Sequence, residues 1–201
     1  LDNLNVPALK IGSGDLTNIP FLEYVAKKQK PIILSTGMGT MKEVNEAVNS
    51  IKKYNNNIIL LHCTTNYPCP LNSVNLKAME TMQNETNLLV GYSDHTESSD
   101  VSVAAVILGA CVIEKHFTLD KSLLGPDHKA SLNPIEFKNM IKRIRQVEKS
   151  KNKKNMFNNI KNIGKILGNG IKKPTKYENE IKKIVRKSIV ADRYIKKGEV
   201  I

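Results

Sequence analysis

Two histidines in this sequence stand just past apolar runs: His95 in the stretch LLVGYSDHT at residues 88 to 96, and His116 in CVIEKHFT at 111 to 118. Imidazoles delivered from two adjacent strand ends suit a divalent ion, with water or substrate oxygens completing its shell. A second set lies upstream. KIGSGD carries Lys10, Ser13 and Asp15, ILSTG carries Ser35 and Thr36, and HCTTNY carries His62, Thr64, Thr65 and Tyr67. A lysine, several hydroxyls and glycine-flanked backbone N–H groups are what a phosphate needs: a point charge, short donors and close main-chain approach. Together with Ser93 they point to a phosphorylated anionic substrate meeting a metal-polarised carbonyl.

Each residue also has a plainer role. A strand-end Ser or Thr commonly does no more than satisfy backbone groups. His62, which follows IILL, reads as a hydrogen-bonded core residue, and His128, in GPDHKAS, as an exposed loop residue. Asp94 either orients a neighbour or faces solvent. Glu114 and Lys115 form an ion pair, or Lys115, or else Lys10, is the Schiff-base lysine of a metal-free aldolase.

The elements that must position these residues repeat one pattern. Short β-branched or leucine-rich runs at 8–14, 31–37, 58–65, 88–96 and 111–118 read as strands buried on both faces. Between them NIPFLEYVAKKQ, MKEVNEAVNSIKKY, VNLKAMETMQN and DVSVAAVILGA read as helices, and PIEFKNMIKRIRQVEKS follows the last strand. Alternation at intervals of 23 to 30 residues predicts a parallel α/β sheet. A doubly wound sheet would gather its polar residues at one switch point. Here every strand ends in polar residues, which favours a (β/α)8 TIM barrel with its site at the strand C-termini. Five units are not eight, and at about 30 residues per unit three more would need roughly 90 residues. The chain starts at Leu1, so the expectation is a partial barrel over 1–149 lacking its N-terminal strands. A basic linker over 150–183 and the start of a truncated small β-rich domain over 184–201 follow.

The net charge of +12 is unevenly spread. Residues 1–148 carry 15 basic and 15 acidic side chains, residues 149–177 nine lysines and no acid, and residues 178–201 seven basic against four acidic. A Lys/Asn-rich tail poor in aromatics fits a solvated linker rather than a base-stacking surface, so nucleic acid is not an expected partner. No apolar run reaches the roughly 20 residues of a membrane span, and no signal peptide precedes the first strand, so no membrane partner and a cytoplasmic location are expected. Cys63, Cys69 and Cys111 are expected as reduced structural thiols.

The segments KIGSGDLTNIPFLEYVAKKQKPIILSTGM, LLHCTTNYPCP, NLKAM, GYSDHT, GACVIEKHFTLD and GPDHKASLNP, in that order, resemble the sialic acid (N-acetylneuraminate) synthase family, which includes legionaminate and pseudaminate synthases. GIKKPTKYE and RKSIVADRYIKKGE resemble the linker and first strand of that family's antifreeze-like (SAF) domain. The resemblance implies a TIM barrel followed by that domain, in a domain-swapped homodimer when full length. It implies metal-dependent condensation of phosphoenolpyruvate with N-acetylmannosamine or a related N-acetylated amino sugar. The ion would commonly be manganese, with magnesium or cobalt as alternatives.

By the same resemblance His95 and His116 ligate the metal, and Lys10, Ser13, Ser35, Thr65 and Ser93 hold phosphoenolpyruvate. Asp15, Tyr67 and Asp127 lie at the sugar, and His95, His116, Tyr67 and Asp127 form the catalytic set. Asp15 stands where many members have Glu, and Thr65 where some have Asn. Acidic and lysine residues of the first strands and an arginine of the SAF domain are not in this sequence. The expectation is therefore an inactive, poorly stable fragment with two open sheet edges. A 2,4-diacetamido-6-deoxy sugar acceptor is the alternative substrate, and a non-catalytic remnant the alternative role.

Overall fold

The computed structural model describes residues 4–200. Residues 1–3 and 201, at the outer limits of the expected barrel and of the final apolar run, lie outside the described residues. Five strands, β1 (Leu9–Ile11), β2 (Ile32–Ser35), β3 (Ile58–His62), β4 (Leu89–Asp94) and β5 (Ile113–Lys115), pair in sequence order. All four pairings are parallel. The result is a half-barrel of βα units, as the alternation predicted. The strands are shorter than the apolar runs suggested, because the polar end of each run leaves the ladder to become a site loop.

Strand alternation decides what faces where. Ile32, Leu34, Ile58, Leu60, Val90 and Tyr92 are buried in one core between the sheet and its helices. A fully buried Leu or Ile contributes about 1.5 to 3 kcal/mol relative to exposure. The other parity carries Lys10, Ser35, Ser93 and Glu114, which therefore share the concave face. The register sets Ser93 beside Glu114. Asp94 and Lys115, also opposite one another, point the other way.

The covering helices are α1 (Ile19–Ala26), α2 (Met41–Lys52), α3 (Lys77–Thr86), α4 (Asp100–Ile107) and α5 (Pro134–Lys149). Their ends are written locally. Thr40 and Asn133 each form a reciprocal capping box, with Glu43 and Glu136 respectively, satisfying otherwise orphan N–H groups at the starts of α2 and α5. Asn87, at φ 54°, ends α3 in the left-handed conformation that Asn tolerates.

The basic segment departs from expectation. Instead of a solvated linker it forms α6 (Lys153–Asn158), α7 (Ile163–Leu167) and α8 (Lys176–Val185). Ile160, Ile166, Lys172 and Glu178 are buried against the barrel. The amphipathic spacing of these few residues outweighs the run's charge, and apart from Lys172 the lysines of residues 149–177 project outward. Beyond α8, residues 186–200 contain no strand among the described residues, so the β-rich start expected there is not seen. No helix among the described residues is long and apolar enough to cross a membrane.

Candidate active site at the strand ends

The C-terminal ends of the strands surround a cavity of about 330 Å³. Lys10, Ser13, Ser35, Thr65, Tyr67, Ser93, His95 and His116 all line it, so eight of the ten residues expected at the site converge. Asp15 and Asp127 do not line it. Asp15 sits in the 3-10 turn after β1, where its carboxylate accepts a bond from Asn18 Nδ2 at 3.2 Å. Asp127 is exposed in the loop before α5, and burial is what chiefly disfavours the Tyr67 phenolate, with the Asp127 charge a smaller contribution.

The half of the cavity expected to take the anion is built by turns that bring hydroxyls close. Ser13 Oγ accepts from the Gly37 amide at 3.0 Å and lies 3.2 Å from Cys63 Sγ. Gly37 is required there, since a Cβ would collide with Thr65 Oγ1 and lie 2.7 Å from Ser13 Oγ and 2.9 Å from Cys63 Sγ. Ser35 Oγ and Thr65 Oγ1 are buried with no hydrogen-bond partner. The plainer role does hold for their neighbours. Thr36 Oγ1 donates to Leu61 O at 2.9 Å, and Thr64 Oγ1 to Ser73 O at 2.8 Å. Lys10 reaches across the concave face to Glu114 at 3.0 Å.

The imidazole half is held from behind. His95 Nδ1 lies 2.7 Å from Thr64 O, which fixes the Nδ1–H tautomer and leaves the Nε2 lone pair turned toward Ser93 Oγ at 3.3 Å. Burial lowers the His95 pKa, and His116 adds to the shift, so the neutral ligand form is favoured. The rings of His95 and His116 lie 5.4 Å apart, centroid to centroid, and Tyr67 covers His95 at 4.1 Å. Among the described residues no three His, Cys, Asp or Glu side chains enclose a metal by themselves. The donor set fits an ion held by two imidazoles and completed by water or substrate oxygens.

Glu114 and Lys115 do not pair with each other. Glu114 ties Lys10 to Ser93, whose Oγ donates to it at 2.7 Å. Lys115 turns to the helix side, where its Nζ donates to Thr96 O and lies 3.4 Å from Asp94. Asp94 is fully buried, accepting also from the Thr96 amide at 2.8 Å, Thr96 Oγ1 at 2.7 Å and Ser102 Oγ at 2.5 Å. It locks the loop that carries His95. His62 is a core residue, bonded to Val74 O at 2.9 Å and held by burial at a pKa of about 3. His128 is half-buried rather than exposed, 2.8 Å from Thr118 Oγ1. Cys63 and Cys69 are buried free thiols, and Cys111 is a free, exposed one.

Two contributors escaped the sequence reading, the bridging role of Glu114 and α8, whose Tyr177, Ile181 and Val185 form one cavity wall, while Gly37 was expected only for its backbone and not for the close packing around it. For α8 the signal was present, since Thr175 and Glu178 stand three apart in TKYE, the spacing of a capping box.

Residues 1–156 match the NeuB family. The chain is 51% identical over 203 residues to the N,N'-diacetyllegionaminic acid synthase of Campylobacter jejuni, covering 100% of this chain and 56% of that protein. Its fold matches the crystal structure of spore coat polysaccharide biosynthesis protein SpsE from Bacillus subtilis with TM-score 0.80 and 37% identity, covering 90% of this chain and 51% of that one. N-acetylneuraminic acid synthetase from Leptospira borgpetersenii, in complex with citrate, matches with TM-score 0.70 and 34% identity over 92% of this chain and 59% of its own. The chain thus spans about half the length of these relatives. By its family match, its half-barrel and its strand-end site, the chain belongs to the NeuB family.

Proposed function

We propose that the complete reading frame containing these residues condenses phosphoenolpyruvate with the aldehyde of an N-acetylated amino sugar. One water is consumed, and a nonulosonic acid and inorganic phosphate are released. The observation that carries this reading is the pair of buried hydroxyls, Ser35 Oγ and Thr65 Oγ1, that have no partner and line one cavity with Lys10 and the two histidines. An unsatisfied buried hydroxyl costs about 1 to 3 kcal/mol, which the oxygens of a bound phosphate would offset. Lys10, Ser13 and Ser93 complete the anion contacts. Tyr67, stacked on His95, shields the imidazole side from water.

His95 and His116 would hold a divalent ion, manganese or else magnesium or cobalt, which when bound supplies Lewis acidity at the sugar carbonyl. Holding both substrates in one cavity makes their reaction effectively intramolecular, an effect of about 7 to 11 kcal/mol at best. The 51% identity to a diacetyllegionaminic acid synthase supports a 2,4-diacetamido-6-deoxy sugar as acceptor, with N-acetylmannosamine as the alternative. A domain-swapped dimer capped by an SAF domain belongs to the same proposal. The Schiff-base alternative is disfavoured for Lys115, whose amine is bonded on the helix side, away from the cavity, while Lys10, the other candidate, lies in the cavity and is ion-paired to Glu114 at 3.0 Å.

The test incubates that protein with phosphoenolpyruvate, manganese and each sugar in turn, following phosphate release with and without a chelator. Release with one sugar, abolished by the chelator and restored by metal, is the expected result. A folded, metal-loaded protein that releases phosphate with neither sugar would sink the reading and favour a non-catalytic remnant.

A further inference from the structure

The segment after the barrel returns across the strand ends and is stitched to the two loops that form the anion-binding half of the cavity. Its contacts run from the Met41 amide, which donates to Lys172 O at 3.1 Å, to Arg186 Nη2, which donates to Met38 O at 2.9 Å. At the centre is Glu178, 3% exposed. Its Oε1 accepts from the amide of Met38 and from the amide of Thr65, each at 2.9 Å, and its Oε2 accepts from the Thr175 amide at 2.9 Å. Met38 follows β2 and Thr65 follows β3. One carboxylate therefore fixes the spacing of the two strand ends that carry the unpartnered hydroxyls of Ser35 and Thr65.

The geometry points to Glu178 as a positioning residue for phosphoenolpyruvate: from behind the cavity wall it clamps the β2 and β3 loops so that the Ser35 and Thr65 hydroxyls are held ready for the substrate's anionic groups. This rests on the phosphoenolpyruvate reading of the site. Glu178 does not line the cavity, while Met38 and Thr65 do, so it acts through them. Two features make the clamp stiff. Three N–H donors converge on one carboxylate, and hydrogen bonds to a charged acceptor are about twice as strong as neutral ones. The helix that bears it is also anchored independently, with Glu43 Oε1 receiving Lys182 Nζ at 2.9 Å and Arg186 Nη1 at 2.5 Å. Gln at 178 keeps the shape but sets an N–H₂ against one of the three donors. Ala leaves two buried amides at the cavity wall without an acceptor, and the loops are then free to separate.

The experiment uses the complete reading frame and measures phosphoenolpyruvate binding directly by calorimetry, alongside steady-state kinetics for both substrates. Variants are Glu178→Gln and Glu178→Ala, with Glu180→Ala as the control, because Glu180 is exposed on the same helix and pairs with the likewise exposed Lys183. The expected result is a loss of phosphoenolpyruvate affinity of roughly tenfold for Glu178→Ala and less for Glu178→Gln, about 1.4 kcal/mol per tenfold. The KM for the sugar stays unchanged, and Glu180→Ala behaves as wild type. Lowered thermal stability with unchanged phosphoenolpyruvate affinity would make Glu178 merely structural and overturn the inference alone. A folded wild-type protein that binds no phosphoenolpyruvate overturns the functional reading, and this inference with it. Should Glu178→Ala not fold, the Gln variant decides between the first two outcomes.

Discussion

Replacing Gly37 by alanine tests the proposed anion-binding cradle with a single methyl group. Gly37 has no left-handed backbone angle, so alanine can adopt its conformation and the substitution probes space alone. The new Cβ would strike Thr65 Oγ1 and crowd Ser13 Oγ and Cys63 Sγ at 2.7 and 2.9 Å. All three groups belong to the cavity lining, and displacing Ser13 Oγ also weakens its 3.0 Å bond from the residue 37 amide. Overpacking of this kind costs about 1 to 3 kcal/mol. Borne by the bound state, that is a rise in phosphoenolpyruvate Kd of roughly 5- to 160-fold. Calorimetric titration with phosphoenolpyruvate gives the Kd directly, and chemical denaturation shows whether the cost has gone into stability instead. The companion is Gly164→Ala in α7, where a Cβ meets nothing within 4 Å. It should leave binding unchanged and stabilise the fold by about 0.5 to 1 kcal/mol. Equal Kd values for the two variants, both folded, would refute the view that Ser13, Thr65 and Gly37 form one close-packed anion site.

Asp94→Ala should destabilise the protein by about 3 to 5 kcal/mol, because it strands the Lys115 ammonium, whose side chain is only 1% exposed. A urea unfolding midpoint that moves little would contradict that burial. Acid should loosen α8. Burial raises the Glu43 pKa, but hydrogen bonds from Arg186, the Thr40 amide and Lys182 more than offset this and leave it at about 2, below its ordinary 4.5. With the folded value depressed, its contribution is complete above about pH 4.5 and lost as the pH falls toward 2. The stability difference between wild type and Glu43→Gln should therefore shrink over that window. A difference independent of pH would mean the three-way contact contributes nothing. Borohydride added during turnover should trap no adduct on Lys115 or Lys10, and a substrate-dependent mass increase at either residue would revive the aldolase reading.

The repeating units were legible because each strand is a short apolar run ending in polar residues, and the covering helices other than the uniformly apolar α4 have a cap or an amphipathic stripe. Ser35 and Thr65 were legible as candidates, but not which strand-end hydroxyls would be left without partners. Thr36 and Thr64 look identical in sequence, yet both are consumed by backbone carbonyls, a difference set by which way each side chain points once the strands pair. Glu114 and Lys115 were read as a pair because they are adjacent. On a strand, adjacency puts side chains on opposite faces, so each found its partner elsewhere. The basic segment misled through its composition. Nine lysines over residues 149–177 suggested a solvated tail, whereas a few well-spaced buried residues, Ile160, Ile166 and Lys172, decide where it lies.

The reach of Glu178 back to Thr65 has a consequence for how the protein is made. The two residues are 113 positions apart, and at roughly 5 to 20 residues per second about 6 to 23 seconds of translation separate them. During that interval β2 and β3 can pair while the amides of Met38 and Thr65 still face water. The cavity is thus finished by a segment that emerges well after its hydroxyls, and a nascent chain interrupted before residue 178 carries the site's side chains without the part that sets their spacing.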